Sequence, residues 1–401
     1  MIKIASYSIA LIFLMTSFSL VIATDEKITL NNEIKINIES NTVEQWDWRN
    51  VDGNDWTTPV RNQLQDQCGS CWAFGALGAV EANYKLWMND PTADVDFSEQ
   101  YILSCSSGNC NGWFLSRTLS WIERNGVINE ACMPYEADDT IPCESKCEDW
   151  RDQLVGTTDH IGLSRADIQG IKDALITYGP LPATMNVYGD FYPDWDGGVY
   201  QQSSEEYVFG HVITIVGFND NWGDEDEGYW ICKNSWGTNW GEDGWFRIAY
   251  GECSIENSVY YLTGPNYPPL QPDQPTGISK GKPGTTYTFS SSGIDPDGND
   301  IYYMFDWGDG NQTDWIGPLK SGETVQANYT WEQQGSYSVT IKTMDHIGPY
   351  IRDVGLQSEW SEPLTVAMPH QKNIDTINTI IDYLNAHFPF FTMDLHWLTP
   401  S

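Results

Sequence analysis

A cysteine thiol is the side chain in this sequence best suited to act as a nucleophile. Cys71 closes the segment Gln-Asp-Gln-Cys-Gly-Ser-Cys (65–71), and the run from 72 to 82 is rich in helix formers and apolar at helical spacing. We therefore expect Cys71 in the first turn of a helix. Unpaired N–H groups and partial positive charge at a helix N-terminus favour the thiolate, which attacks carbonyl carbon far better than the thiol does.

Acyl transfer by a thiol also requires a base, a group that orients the base and donors for the developing oxyanion. His211 precedes the β-branched run Val-Ile-Thr-Ile-Val (212–216), which predicts a buried strand with the imidazole at its start. Asn234 lies in Lys-Asn-Ser-Trp-Gly (233–237), where its oxygen could hold the imidazole N–H under the cover of an indole. A structural cysteine near a core histidine is the alternative interpretation, and the joint pattern disfavours it.

These motifs, in this order, resemble the papain family of cysteine peptidases over residues 46–263. The resemblance implies that Cys71 is the nucleophile, His211 the general acid/base and Asn234 the group that orients His211. It also implies that Gln65 and the backbone N–H of Cys71 form the oxyanion hole. The implied fold is α+β, a two-lobed papain-like catalytic domain with Cys71 on a helical lobe, His211 and Asn234 on a β lobe, and substrate between the lobes.

Two departures from the family pattern affect the site. The usual glycine after the oxyanion glutamine is Asp66, and Gln63 lies two residues upstream of Gln65. A short insertion would make Gln63 the donor, although the spacing to the nucleophile favours Gln65. The second departure is Cys-Asn-Gly-Trp at 110–113, where the family normally has a second glycine. Trp113 is expected to line or narrow the substrate cleft, so subsite preferences cannot be taken over from relatives.

Nine cysteines fit an oxidising compartment if eight are paired and Cys71 is left as the reactive thiol. The resemblance implies two disulfides and leaves four cysteines for two more: Cys68–Cys110 and Cys105–Cys143, then Cys132–Cys147 and Cys232–Cys253. Zinc is the competing explanation, but the sequence contains a single Cys-x-x-Cys pair. We therefore expect no metal and no cofactor.

Composition excludes some partners and indicates a compartment. The chain has 56 acidic and 20 basic residues, a net charge of −36, which repels nucleic acid and anionic lipid headgroups.

Residues 1–23 have the pattern of a secretory signal peptide with cleavage after Ala23, and an uncleaved anchor is the alternative. Either places the remainder in the extracellular space or at the cell surface, without a membrane span in the mature chain. Residues 24–45 form a segment much shorter than the inhibitory propeptides of papain-like zymogens.

A second domain follows the catalytic domain, which we bound at 46–264. Residues 265–275 are rich in proline, which indicates a stiff, extended linker. Period-two runs with Gly, Asp and Asn turns then predict a β-sandwich over 276–368. Its Phe-Asp-Trp-Gly-Asp-Gly (305–310) resembles the PKD (polycystic-kidney-disease) repeat, an immunoglobulin-like module. The module is expected to act as a spacer or to bind substrate or cell-surface material, and the tail 369–401 is expected to dock on it or on a partner.

Two functions from different classes are consistent with these patterns. The first is a secreted cysteine endopeptidase that hydrolyses protein or peptide substrates through an acyl-enzyme. The second is a catalytically idle papain-like fold that serves in binding or adhesion. The complete Cys, His, Asn and Gln set favours the endopeptidase. An exopeptidase would need an insertion that plugs one end of the cleft, and we see none in the sequence. In papain-like sites the thiolate pairs with imidazolium, which predicts a low pKa for Cys71 and a bell-shaped pH dependence.

Overall fold

The computed structural model describes residues 43–63, 67–193, 195–223, 227–345 and 355–369, and the single positions 383 and 387. The predicted signal peptide, most of the short segment after it, Gln65, Asp66 and nearly all of the C-terminal tail lie outside the described residues.

Helices dominate the first half of the catalytic domain, as the sequence predicted. They are α1 (Cys71–Trp87), α2 (Glu99–Cys105), α3 (Leu115–Asn125) and, after a β-strand, α4 (Ile168–Tyr178). Helix α1 is buried on nearly all sides, because small and apolar residues occupy most of its positions. Within the described ranges, no helix combines the length and apolar character needed to cross a bilayer.

A six-stranded sheet forms the core of the second half. Its strands are β1 (Gln45–Asp47), β3 (Leu181–Tyr188), β4 (Val199–Tyr200), β5 (Tyr207–Asn219), β6 (Tyr229–Lys233) and β7 (Trp245–Ala249). They pair in the order β1-β5-β6-β7-β4, and β3 also pairs with β5. A separate ribbon joins β2 (Gly156–Gly162) to β8 (Tyr260–Asn266) in antiparallel fashion. The long strand β5 is therefore the centre of the β lobe.

Helix α1 packs directly against β5, and this contact brings the two lobes together. A Cβ atom on Gly75 would lie 2.6 Å from Cγ1 of Val212 and 2.9 Å from its backbone. The Thr214 hydroxyl donates to the Gly75 carbonyl at 3.0 Å. The close approach places the N-terminus of α1 beside the residues that follow His211.

Three of the four predicted disulfides are present: Cys68–Cys110, Cys105–Cys143 and Cys132–Cys147. The predicted Cys232–Cys253 disulfide is wrong, because both residues are buried free thiols. Cys232 lies in β6 between Ile215 and Phe246 of the neighbouring strands and packs there as a small apolar side chain. The Cys253 thiol instead donates to Oε1 of Gln202 at 4.0 Å. With Cys71, the described residues contain three free thiols.

The second domain is a β-sandwich, which confirms the predicted fold class of an α+β catalytic domain followed by an immunoglobulin-like PKD sandwich. Its strands are β9 (Thr286–Ser292), β10 (Ile301–Asp306), β11 (Ile316–Leu319), β12 (Thr324–Thr330), β13 (Gly335–Asp345) and β14 (Leu364–Met368). One sheet has the order β11-β10-β13-β14, and the other pairs β12 with β9. Large aromatic side chains, among them Phe305, Trp307 and Trp331, fill the space between them.

The segment that joins the two domains is bonded to the second one. Strand β8 runs into the predicted linker and ends at Asn266, which is fully buried. The Asn266 side chain donates to Oδ2 of Asp345 at 2.7 Å and accepts from Nδ2 of Asn299 at 2.9 Å. The backbone N–H of Tyr267 donates to Asp297 at 2.6 Å. The junction is therefore held by specific polar contacts.

Candidate active site

Cys71 is the first residue of α1, as predicted, and the loop before it is firmly anchored. The disulfide from Cys68 to Cys110 and the hydrogen bond from Gly69 N–H to the Cys110 carbonyl, at 2.8 Å, hold this loop. Ser70 does not cap the helix with its side chain, because its hydroxyl bonds the Tyr135 hydroxyl at 2.6 Å. The helix N-terminus is therefore open beside the sulfur.

His211 and Asn234 are in direct contact, with 2.8 Å between His211 Nε2 and Asn234 Oδ1. The backbone N–H of Ser235 also points to that Asn234 atom at 2.8 Å, and an N–H can only donate, so the atom is the oxygen. Nε2 must then carry the hydrogen of the neutral ring, which leaves Nδ1 as the basic nitrogen. Nδ1 is buried and has no hydrogen-bond partner among the described residues, so it is available to accept a proton.

An indole shields this pair, as the sequence suggested. The Trp236 ring stacks on the His211 ring with centroids 4.7 Å apart and an interplanar angle of 30°. His211 is 2% exposed. Because water is kept away from the bond between His211 and Asn234, the orientation of the imidazole is fixed more strongly than an exposed bond would fix it.

Burial favours the neutral form of the Cys71 and His211 side chains. It raises the pKa of Cys71 to about 11, against the opposing effect of backbone hydrogen bonds from Val212, Trp72 and Cys71 itself. It lowers the pKa of His211 to about 4, while the hydrogen bond to Asn234 acts in the opposite direction. These directions are opposite to the low Cys71 pKa expected from the sequence. The pair shares one proton whether that proton is on the Cys71 sulfur or on His211. A bell-shaped pH dependence therefore remains the expectation.

Gln63, the alternative oxyanion donor, lies next to the Asn234 turn. Its Nε2 donates to the Cys68 carbonyl at 3.2 Å, and its Oε1 accepts from the Ser235 hydroxyl at 2.6 Å. The Gln63 side chain is fully buried between the loop before Cys71 and the turn after Asn234. Because Gln65 lies outside the described residues, its role stays a prediction.

A cleft of about 660 Å³ opens beside Cys71 and His211. One wall is the segment from Cys110 to Ser116, which includes Trp113 as the sequence suggested. Other lining residues come from β3, from β5 and from the turn after β7: Thr184, Met185, Asn186, Phe209, Gly210, Val212, Ser254, Asn257 and Ser258. Arg165 completes the lining. Sequence reasoning missed Arg165, because it lies in a polar loop with no recognisable motif.

A buried charged cluster behind the site was also missed. Lys233, which precedes Asn234, donates from Nζ to the Thr58 hydroxyl at 2.7 Å and lies 3.9 Å from the Glu81 carboxylate. Burial lowers the pKa of Lys233 and raises that of Glu81, and their mutual attraction opposes both changes. The cluster joins α1 to the end of β6 and so fixes the start of the Asn234 turn.

Comparison with known families agrees with this geometry. The model of the papain family cysteine proteases matches residues 42–263, more than half of the chain. The chain belongs to the papain family. A second family model, that of the PKD domain, matches residues 275–350. The resemblance to both families noted in the sequence is thus confirmed.

Several characterised papain-family proteins are similar to the first domain. A cathepsin B-like protein, CP3, of Giardia intestinalis is 36% identical over 206 residues, which cover 49% of this chain and 67% of the relative. Cathepsin B-like protease 1 of Arabidopsis thaliana is 32% identical, with coverage of 49% and 56% respectively. The solved structure of bromelain from Ananas comosus in complex with the E64 inhibitor is 28% identical, covers 55% of this chain and 99% of bromelain, and has a TM-score of 0.47. The match of the family model to residues 42–263 identifies the first domain as a cysteine protease domain.

Proposed function

We propose that the protein is a secreted cysteine endopeptidase that cleaves peptide bonds through an acyl-enzyme intermediate. The observation that carries the proposal is the orientation of His211. Its Nε2 is held by Asn234 and its Nδ1 has no partner among the described residues, in the same cleft that contains Cys71 at a helix N-terminus. A thiol, an oriented base and a cleft of peptide dimensions are the components that acyl transfer needs.

In the proposed mechanism, the Cys71 sulfur attacks the substrate carbonyl carbon as His211 Nδ1 accepts the thiol proton. The backbone N–H of Cys71 and a glutamine carboxamide donate to the resulting oxyanion. The C–N bond then breaks, and Nδ1 returns its proton to the departing amine. Water next attacks the thioester while Nδ1 accepts one of its protons. Collapse of this second intermediate releases the carboxylic acid and regenerates the Cys71 thiol.

Gln65 is the proposed side-chain donor on its spacing to Cys71, and Gln63 is the second candidate. Gln63 is supported by its position beside Ser235, although its carboxamide already bonds two protein groups. Substitution of each glutamine by alanine separates them, since loss of an oxyanion donor costs about 10²–10³ in kcat. The variant with that loss identifies the donor.

Secretion is supported by chemistry as well as by the leader sequence. Three disulfides are formed among the described residues, and disulfides persist in oxidising compartments. The PKD domain would then act outside the cell as a spacer or as a module that binds substrate or cell-surface material. The net charge of −36 argues against nucleic acid as a partner.

The test is hydrolysis and covalent labelling by the mature protein. We expect cleavage of an internally quenched peptide blocked at both ends, and labelling by the epoxide E64 at one site, Cys71. Cys71→Ala should abolish both, with an unchanged melting temperature as the control for folding. A protein that serves only in binding would be folded and yet show neither cleavage nor labelling. Cleavage restricted to unblocked ends would indicate an exopeptidase.

A further inference from the structure

The lining of the substrate cleft differs in charge from the rest of the molecule. The chain carries 56 acidic residues, but none of the described residues that line the cleft is acidic. Arg165 is the one lysine or arginine among them. A cation in a cleft otherwise lined by neutral groups has no counter-charge there, which makes it a candidate to bind an anionic group of the substrate.

Backbone contacts fix the location of Arg165 within the cleft. Leu163 N–H donates to the Val259 carbonyl at 2.9 Å, and Ala166 N–H donates to the Glu256 carbonyl at 3.2 Å. The loop that carries Arg165 therefore runs beside residues 256–259. Arg165 thus lies at the end of the cleft that is lined by the polar side chains of Asn257 and Ser258.

This end of the cleft is within reach of a bound peptide. Ser258 accepts a hydrogen bond from Thr184 N–H at 3.1 Å, and Thr184 in β3 pairs with Val212 in β5, next to His211. Adjacent strands lie about 4.8 Å apart, so Ser258 is on the order of 10 Å from the β5 backbone. A substrate residue close to the scissile bond can span that distance with its side chain.

The Arg165 guanidinium is free to pair with a ligand. Four other arginines, at positions 49, 61, 151 and 247, each form an ion pair with a carboxylate, whereas Arg165 forms none with any described residue. Two acidic residues that lie close to Arg165 in the chain or beside its loop have other partners. Glu256 accepts from Trp230 Nε1 at 2.8 Å, and Asp167 accepts from Gly170 N–H at 2.9 Å as the cap of α4. Arg165 is exposed, so both of its outer nitrogens can reach an incoming group.

We propose that the Arg165 end of the cleft is a subsite for an acidic side chain, so that the enzyme prefers peptides with Asp or Glu at one position before the scissile bond. The planar guanidinium can donate two parallel hydrogen bonds to the two oxygens of a carboxylate. An uncharged amide side chain has one oxygen and so cannot accept both bonds in this way. The hydroxyls and amide of Ser254, Asn257 and Ser258 can accompany that pair with further hydrogen bonds. The inference rests on the proposed peptidase function and specifies its substrate class.

The test uses matched fluorogenic peptides that carry Glu or Gln at each of the three positions before the cleaved bond. We expect the kcat/KM ratio of Glu to Gln peptides to be about tenfold at one of these positions. In Arg165→Gln the ratio should fall to about one, and in Arg165→Glu the same position should favour Lys over Glu. The Glu preference of the wild type should also decline at 0.5 M NaCl, because salt screens a partly exposed pair.

Arg117→Gln is the control for a general effect of net charge. The Arg117 guanidinium lies over the Phe114 ring, 5.1 Å from its centroid, beside the cleft but outside its lining. Its loss removes the same positive charge and should leave the Glu to Gln ratio unchanged. An equal fall of the ratio in Arg117→Gln would overturn the proposal, since the preference would then come from the overall field. An active wild type with no preference for Glu at any position would also overturn it.

Binding to an inactive variant separates this inference from the proposed activity. In Cys71→Ala, the anisotropy of labelled Glu and Gln peptides measures affinity without cleavage. Tighter binding of the Glu peptide that disappears in Cys71→Ala/Arg165→Gln supports the acidic subsite, even if the wild type cleaves no peptide. Equal affinities for the two peptides in Cys71→Ala would show that Arg165 forms no such subsite.

Discussion

At the scale of single residues, the proposed mechanism predicts that the protonation of the Cys71 and His211 pair sets the pH range of activity. On the acidic limb the pair gains a proton, mainly at His211, and burial lowers the pKa of His211 to about 4. Loss of a proton reports mainly on Cys71, whose pKa burial raises to about 11. The single-proton state should therefore persist over a wide pH interval, and the bell-shaped profile should be broad.

Asn234 should modify this profile without supplying a proton. Its hydrogen bond raises the pKa of His211, so in Asn234→Ala the acidic limb should move to lower pH. We expect kcat/KM to fall about tenfold to a hundredfold, less than the roughly 10²–10⁴-fold loss that general acid–base catalysis predicts for His211→Ala. The measurement is kcat/KM against pH for both variants and the wild type. A folded Asn234→Ala protein as inactive as His211→Ala would assign the orienting role to another group.

At the scale of elements, the proposed mechanism predicts that activity depends on how closely α1 approaches β5. In Gly75→Ala the new methyl group would overlap Val212, whose backbone is 2.9 Å from the ideal Cβ position. The helix must then move away from the strand, which should cost about 1–3 kcal/mol of stability and also lower kcat/KM, because Cys71 shifts relative to His211. Denaturant unfolding and peptide cleavage measure the two effects.

Gly170→Ala provides the comparison for that variant. It adds the same methyl group to α4, where the nearest atoms belong to the flexible Asp167 side chain. This variant should lose at most the helix cap and keep its kcat/KM. A Gly75→Ala protein with normal stability and activity would mean that the contact between α1 and β5 is not tight.

The elements and the grouping of the candidate site residues in one cleft were predictable because their signals are local. The order of helices and strands follows from periodicity in short windows, and Cys71, His211 and Asn234 each lie in a distinctive segment. The Cys232–Cys253 pairing failed because it was assigned from the cysteines that remained, and a count carries no information about distance or direction. Arg165 was missed for a related reason. Its proposed role comes from neighbours that are far away in sequence, such as Ser258, and from the lack of acidic residues among the described residues that line the cleft.

At the scale of the whole molecule, buried carboxylates at the domain junction link stability to pH. Burial raises the pKa of Asp345 to about 8 and that of Asp295 to about 6, and repulsion from Asp295 contributes to the higher value for Asp345. An unfolded Asp titrates near about 3.9. Between about pH 4 and pH 8 the folded protein retains a proton on Asp345 that the unfolded chain releases, so stability should fall as pH rises through this window.

Asp345→Asn tests this linkage. An asparagine can still accept the Asn266 hydrogen bond, but it carries no charge when the pH rises. The variant should match the wild type near pH 4 and become more stable than it by about 1–3 kcal/mol near pH 8. Thermal unfolding in the presence of a chelator measures this, because a divalent cation would neutralise the same carboxylates. Asp314→Asn, at an exposed position, should show no such trend. A stability difference between Asp345→Asn and wild type that does not grow with pH would contradict the linkage.

The bonds made by Asn266 also have a mechanical consequence. A proline-rich tether that was free at both ends would let the catalytic domain sample many directions around an anchored PKD domain. Because Asn266 at the end of β8 is bonded to Asp345 and Asn299, rotation about the start of that tether should be restricted. On a surface that holds the PKD domain, the mouth of the cleft would therefore face one direction. Such an enzyme would cleave only those substrates that lie in a limited range of directions from the point at which the PKD domain is held.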